Sequence, residues 1–462
     1  MKTFSLAMRN LLRNRRRSLT TLSAMIIGLV AILVFGGYKS NISYGSLTGF
    51  VQGTGHLQIQ HKDYFLEGGD NPTAYGIAEY QRIIDAVKRD PVMAPMLTVV
   101  TPTLQLGGIA GNFAASTSRS VIASGVVVED FNRMLSWNEY GVISYAQPLP
   151  LAGAGQDAVV VGTGVARKLK LCDVLNVPNC SQAPVKSSNE GTQAPNDIAA
   201  LSALEQASRP PQEETRIEML AATAHGAPNV ASLNVIEAKN MGIKALDDAY
   251  LAMHLAQAQK LIYGGEKPQV TAISIQLLHT SQIPAAKKRL AELLASEFKA
   301  EPLTILDFRV LNPMYVQTMQ FMDSMFGFIA TLIGVIVLFT IGNTMSTAVV
   351  ERTVEIGTLR AIGLRRSGIR RLFLCEGVVL GLFGAVIGLI FASFIAYLIN
   401  QSGLSWTPPG YSYAYLILIR IWQDMNLLVG SVIGLFAVAV VSAWWPAHRA
   451  SKLVIVDALR HV

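Results

Sequence analysis

The sequence predicts a membrane protein: four transmembrane α-helices with a large α+β extracytoplasmic domain between the first and second. Three observations carry that expectation. Of 462 residues, 51% are hydrophobic and only 15% charged, whereas soluble domains carry about 25% charged residues. Residues 18–38, 324–350, 377–400 and 425–446 contain no Asp, Glu, Lys or Arg, and each can supply the ~20 apolar residues that cross a ~30 Å hydrocarbon core. No span is read between residues 39 and 320.

The charges orient the chain. Lys2, Arg9, Arg13, Arg15, Arg16 and Arg17 precede the first span with no acid among them, and Arg352, Arg360, Arg365, Arg366, Arg370 and Arg371 crowd the connection after the second. Short basic segments stay in the cytoplasm. Both termini and the 351–371 connection are therefore expected inside, and the large domain outside. The net charge of +7 belongs to these topogenic residues, which argues against nucleic acid as partner. A cleaved signal peptide is the alternative for the first span, but its charge-free stretch exceeds the usual 7–15 residues of such a peptide and no A-x-A-like site follows.

The expected order is thus a cytoplasmic N-terminal segment (1–17), transmembrane helix 1 (18–38), the outer domain (39–320) and transmembrane helix 2 (321–350). A cytoplasmic connection (351–371), transmembrane helix 3 (372–400), a short outer loop (401–424), transmembrane helix 4 (425–446) and a cytoplasmic tail (447–462) follow. Glycines suit close helix contacts on the first span (Gly28, Gly36, Gly37) and the second (Gly327, Gly334, Gly342), or ordinary packing.

Within the outer domain, residues 55–60 alternate as a strand does, and 98–109 and 121–128 are rich in β-branched residues. Residues 74–90 place Ile77, Tyr80, Ile84 and Val87 on one helical face, stopped by Pro91. A strand at 157–161 leads through Gly162 and Gly164 into a short helix. A strand at 270–278, a helix at 284–299 with Leu290, Leu293, Leu294 and Phe298 as its stripe, and a strand at 303–308 close the domain. One or two α+β lobes are expected. Residues 178–214, rich in Ser, Asn, Gln, Ala and Pro, cannot bury enough surface to offset ordering entropy; they are read as a mobile excursion, with a partner-binding loop as the alternative. Cys172 and Cys180 sit at the start of this stretch, where an oxidising outer compartment allows a disulfide. Cys375, at the third span, is read as a small buried apolar residue.

No motif for chemistry emerges. The chain has no Gly-Lys dipeptide, which removes the P-loop cradle for nucleotide phosphates. It has no His-Glu-x-x-His and no Gly-x-Ser-x-Gly elbow, and Gly162-Thr163-Gly164 lacks the third glycine of a dinucleotide site. His56 and His61 read as surface residues. Asp323 and Glu376, the acids nearest the hydrocarbon, are expected at helix ends within reach of interfacial water. No catalytic, cofactor-binding or metal-ligating set is assigned.

The 351–363 connection differs. It reads as an amphipathic helix continuing the second span, with Ile356, Leu359 and Ile362 on one side. Such a helix either lies on lipid or docks a soluble partner as a helix in a groove.

Here the sequence resembles the permease subunits of bacterial ABC transporters of the FtsX/MacB/lipoprotein-releasing (LolC/LolE-like) family. The segment Glu351-Arg352-x-x-Glu355-Ile356-Gly357-x-Leu359-Arg360-Ala361-Ile362-Gly363 is similar to the family signature after the second span. The tail Pro446-Ala447-x-Arg449-Ala450 with Asp457-Ala458-Leu459-Arg460 is similar to its closing motif. Ala7-x-Arg9-Asn10-Leu11-Leu12-Arg13-Asn14-x-Arg16-Arg17 resembles the amphipathic helix before the first span. In the outer domain, Gly55-His56-Leu57-Gln58-Ile59 and the run from Gly242-Ile243-x-x-Leu246-Asp247-Asp248 to Ala256-Gln257-x-x-x-Leu261 resemble the lipoprotein-releasing branch. Residues 172–232 depart from the pattern, beginning with Cys172-Asp173 where Gly-Asp is usual.

The resemblance implies four spans, a MacB-like periplasmic domain, and an assembly of two permeases, the second a copy or a paralogue, with a cytoplasmic ABC ATPase dimer. ATP and Mg would be bound by that partner, not by this chain, and the chain itself would not be an enzyme. Glu351, Arg352, Glu355, Ile356, Gly357, Leu359, Arg360 and Gly363 would couple the ATPase to the spans by mechanotransmission, with stalk helices at 39–50 and 310–323. The implied function is extraction or export of a lipoprotein or other amphiphile from the bacterial inner membrane, with a periplasmic adaptor or lipoprotein as a further partner. The alternative is a non-transporting FtsX-like regulator that activates a periplasmic enzyme.

Overall fold

A computed structural model describes residues 8, 9, 13, 15–69, 71–178, 180 and 215–455. The motif residues Ala7, Asn10, Leu11, Leu12, Asn14 and 457–460, and the excursion from 181 to 214, lie outside them. Two compact units form, one of residues 1–44, 314–406 and 415–462, the other of residues 45–313 and 407–414.

The chain enters through α1 (Arg15–Thr54). In the outer unit follow β1 (Leu57–His61), α2 (Tyr80–Arg89), β2 (Leu97–Asn112), β3 (Thr117–Val126), α3 (Val128–Leu135), β4 (Ala158–Gly162) and α4 (Thr163–Lys168). Then come β5 (Arg216–Ala222), β6 (Pro228–Lys239), β7 (Tyr250–His254), α5 (Leu255–Tyr263), β8 (Ala272–Leu277), α6 (Ile283–Glu297) and β9 (Leu303–Asp307). The membrane unit continues with α7 (Pro313–Glu351), α8 (Thr353–Ala361), α9 (Arg366–Gln401), the short β10 (Ser405–Trp406) and β11 (Tyr415–Leu416), and α10 (Met425–Ser451).

The nine outer strands form one sheet in the order β3-β7-β4-β6-β5-β2-β8-β1-β9, and β3 also pairs with β2. That extra pairing closes six strands into a ring, which removes sheet edges there. β2, 16 residues long, belongs to both the ring and the open arm β2-β8-β1-β9. Alternation along each strand sorts side chains to the two faces: Leu104, Leu106, Ala123, Met219, Leu233, Val159 and Leu251 join the main core. Val160 and Ala252, on the opposite face, join a smaller cluster with Val126, Leu149 and Leu151. The nine strands of the outer unit are therefore one continuous sheet.

Several local expectations change. Ile77 lies off α2, paired through a backbone bridge with Val270, and Ile83 takes its place on the buried face of α2. β5, β6 and β7 were not anticipated. β5 exposes every second residue, but it follows directly on the polar stretch that masks it. His56 is wholly buried: its Nδ1 accepts the Leu277 N–H at 3.0 Å, Nε2 lies 3.3 Å from Thr280 Oγ1, and the ring meets Trp137 edge-on at 4.8 Å. Burial pushes its pKa down to about 4, against the pull of Glu139. Cys172 and Cys180 are joined as a disulfide, with Cα atoms 6.1 Å apart.

Residues 407–414 add to the outer unit. The Lys244 N–H donates to Gly410 O at 2.9 Å, Ser412 Oγ donates to Asp247 Oδ2 at 2.6 Å, and Tyr413 covers Gly242, whose φ of +80° suits glycine alone.

In the membrane unit, four helices among the described residues are long and apolar enough to cross a bilayer: Ser18–Thr54, Pro313–Glu351, Arg366–Gln401 and Met425–Ser451. Met25, Leu29, Leu33, Val337, Ile341, Leu380, Leu435 and Ala439 form their shared core. Gly28 does bring α1 close to α7, at Ile333 and Val337. Gly327 faces open space, however, and Gly334 and Gly342 make ordinary contacts. Gly36 meets Phe326 of α7 and Leu427 of α10 as closely, Gly37 meets Ile419, and further tight crossings use Gly384 and Gly388 of α9, whose missing side chains admit Met25 and Leu29. Cys375 is only partly buried.

Candidate coupling site

The 351–363 connection begins where α7 stops. Arg352 leaves helical geometry at φ −103°, ψ 18°, so the expected single helix is two: α7 ends at Glu351 and α8 starts at Thr353. Glu355 lies in the first turn of α8, where an acid complements the exposed amide dipoles. Gly363 closes the segment at φ +102°, with its N–H donating to Arg360 O at 3.1 Å.

Three kinds of contact hold α8. Ile356 is buried with Val349, Ile369, Phe373, Ala447 and Ala450, and Leu359 packs against the same cluster. Arg360 Nη1 donates to the carbonyl of Leu453. Four charges alternate in series: Arg13 pairs with Glu355, Glu355 lies 4.0 Å from Arg352, and Arg352 Nη1 donates to Glu376 Oε1 at 2.9 Å. The series runs from solvent to interior, because Arg13 and Glu355 are exposed while Arg352 and Glu376 are 7% and 2% exposed.

Of the residues singled out in sequence, Arg352, Glu355, Ile356, Leu359 and Arg360 converge here. Gly357 is buried on the same helix, and Glu351 and Gly363 mark the ends. Ile362 departs from the expected apolar side: it caps α8 and is 80% exposed, beside exposed Val354 and Leu364. Glu376 was misread as a helix-end acid; it lies three turns inside α9. Asp323 likewise lies well inside α7, paired with Lys39 of α1. The signal for Glu376 was present, since it is the sole acid between Glu355 and Asp424 and an intramembrane acid needs a partner.

Fold and site together define a polytopic membrane protein with four apolar helices, a large α+β domain after the first, and a short helix after the second that is braced by charge and packing. Residues 327–455 match the family described as FtsX-like permease C-terminal. It is 37% identical over 143 residues to the ABC transporter permease YtrF of Bacillus subtilis, covering 29% of this chain and 30% of that one. It is 24% identical over 243 residues to the lipoprotein-releasing system transmembrane protein LolC of Neisseria meningitidis, covering 51% and 56%. With the macrolide export ATP-binding/permease protein MacB of Chlorobium luteolum it shares 26% identity over 240 residues, covering 50% and 33%. The chain thus spans between about a third and just over half of these relatives. Among solved structures, the extracellular domain of the ABC-type transporter YknZ and the periplasmic region of MacB from Actinobacillus actinomycetemcomitans align at TM-scores of 0.29 and 0.31. Each is 13% identical, and the alignments cover 54% and 57% of this chain and 99% and 94% of those.

Proposed function

We propose that the chain is the permease subunit of an ABC transporter that works by mechanotransmission. A separate cytoplasmic ATPase dimer, binding ATP and Mg, presses on α8, and the stroke moves the outer domain to extract or export a lipoprotein or other amphiphile. A second permease copy or paralogue completes the assembly in the bacterial inner membrane, with both termini and α8 cytoplasmic.

One observation carries this reading: α8 lies within the permease-matching segment and is braced inward, while its outward side presents Val354, Ile362 and Leu364 to solvent. Exposed apolar side chains at a charged surface mark a docking face. The outer loop supports the sidedness, since residues 407–414 and the large domain share one compact unit. The amphiphile reading draws on the likeness to a lipoprotein-releasing relative.

The test is co-purification of the tagged chain from its own cells, followed by ATPase assay in nanodiscs. The expected result is a bound ATPase whose activity rises with this chain and a stoichiometric amphiphile. Intact protein with no ATPase would overturn the permease reading. A bound outer hydrolase in place of an amphiphile would replace transport by regulation.

A further inference from the structure

The inward helix is not a rigid extension of the second span. A continuous helix carries axial displacement, whereas a break passes it on only through the contacts that bridge it. The break at Arg352 separates α8 from α7, and the side chains of α8 reach mainly to later helices. Ile356 packs with Ile369 and Phe373 of α9 and with Ala447 and Ala450 of α10, while α7 contributes Val349 alone to that cluster. Arg352, at the break itself, is tied to Glu376 of α9.

We propose that Glu376 is a positioning residue: through Arg352 it pins α8 to the third span, so that a push on α8 is delivered first to the third and fourth spans and reaches the second only across the hinge. The identity of what pushes rests on the permease reading; the pin does not. A buried guanidinium stripped of its closest counter-charge must find water or another acid. Glu355, also paired with Arg352, lies 4.0 Å away and is itself exposed, so α8 would tilt outward to let Arg352 follow it.

Hydrogen exchange of the full chain in nanodiscs tests the pin, comparing wild type, Glu376→Gln, and the pair Arg352→Met with Glu376→Leu. The paired variant guards against simple unfolding, because replacing a buried ion pair by apolar residues of similar volume is often neutral for stability. The expected result is roughly tenfold or faster exchange in the amides of α8 for both variants, with β2 and β8 unchanged. ATPase stimulation should be lost in both, including the stably folded pair, which a merely structural role would leave intact. Wild-type exchange in α8 of Glu376→Gln would overturn the pin. Faster exchange with full ATPase stimulation would overturn its part in coupling. If the wild-type chain stimulates no ATPase, the permease reading fails, and the exchange comparison still decides the pin.

Discussion

His56 shows how a residue can be legible as a type and misread as a role. One backbone amide and one hydroxyl satisfy its ring inside the core. Its folded pKa of about 4 lies below the ~6.5 of an unfolded histidine, so the unfolded chain takes up the proton first. Stability linked to His56 is therefore whole above pH ~6.5 and falls as pH drops toward 4, by up to roughly 3 kcal/mol. Protection of the Leu277 amide, followed from pH 7 to 4.5, should decline along this course and flatten in His56→Gln; equal slopes in the two proteins would refute the assignment. Asp90 has the same sign in a lower pH window. Its carboxylate accepts from Arg289 Nη2 at 2.7 Å and from the Met93 and Val92 N–H groups, and the guanidinium holds its pKa below the usual carboxylate range. That stability is present above the unfolded pKa of ~3.9 and is lost as pH falls through the lowered folded value. Asp90→Ala should cost about 1–3 kcal/mol, read as lost protection at Val92 and Met93.

At the scale of elements, the apolar periods of the spans and the stripe of α6 were readable because burial there follows the helical period. α8 was readable as a motif, but its separation from α7 was not. Nothing in Glu351-Arg352-Thr353 forbids a helix; the buried partner Glu376, 24 positions on, holds Arg352 at the break. The strands of the ring were found where β-branched residues cluster and missed in β5 and β6, where small and polar residues sit on the open face and long-range pairing decides. Glu355→Lys follows from the element's geometry. It sets a cation between Arg13 and Arg352 on an exposed turn, so the fold should survive, since exposed pairs contribute only ~0–1 kcal/mol. Coupling should fail. Circular dichroism and ATPase assay together check this, and a variant that retains wild-type cargo movement in a reconstituted system would remove Glu355 from the coupling path.

The molecule as a whole divides its labour between a unit held by helix packing in lipid and a unit held by a closed sheet. The disulfide between Cys172 and Cys180 spans eight positions, and closing so short a loop contributes about 2–3 kcal/mol by restricting the unfolded chain. Cys172→Ser with Cys180→Ser should lower the unfolding temperature of the outer unit and leave the helices of the membrane unit unchanged; equal thermal curves would show the bond to be ornamental for stability. The pairing of β1 with β9 has a further consequence. Leu57 faces Asp307 in antiparallel register, so the outer domain receives and returns the chain at neighbouring points, ~5 Å apart as adjacent strands are. Some 250 residues are thus inserted between two adjacent strand ends. The β1–β9 pairing fixes the distance between the arriving and departing ends of this insertion, so a change in length elsewhere in it leaves the spacing of those two ends unaltered.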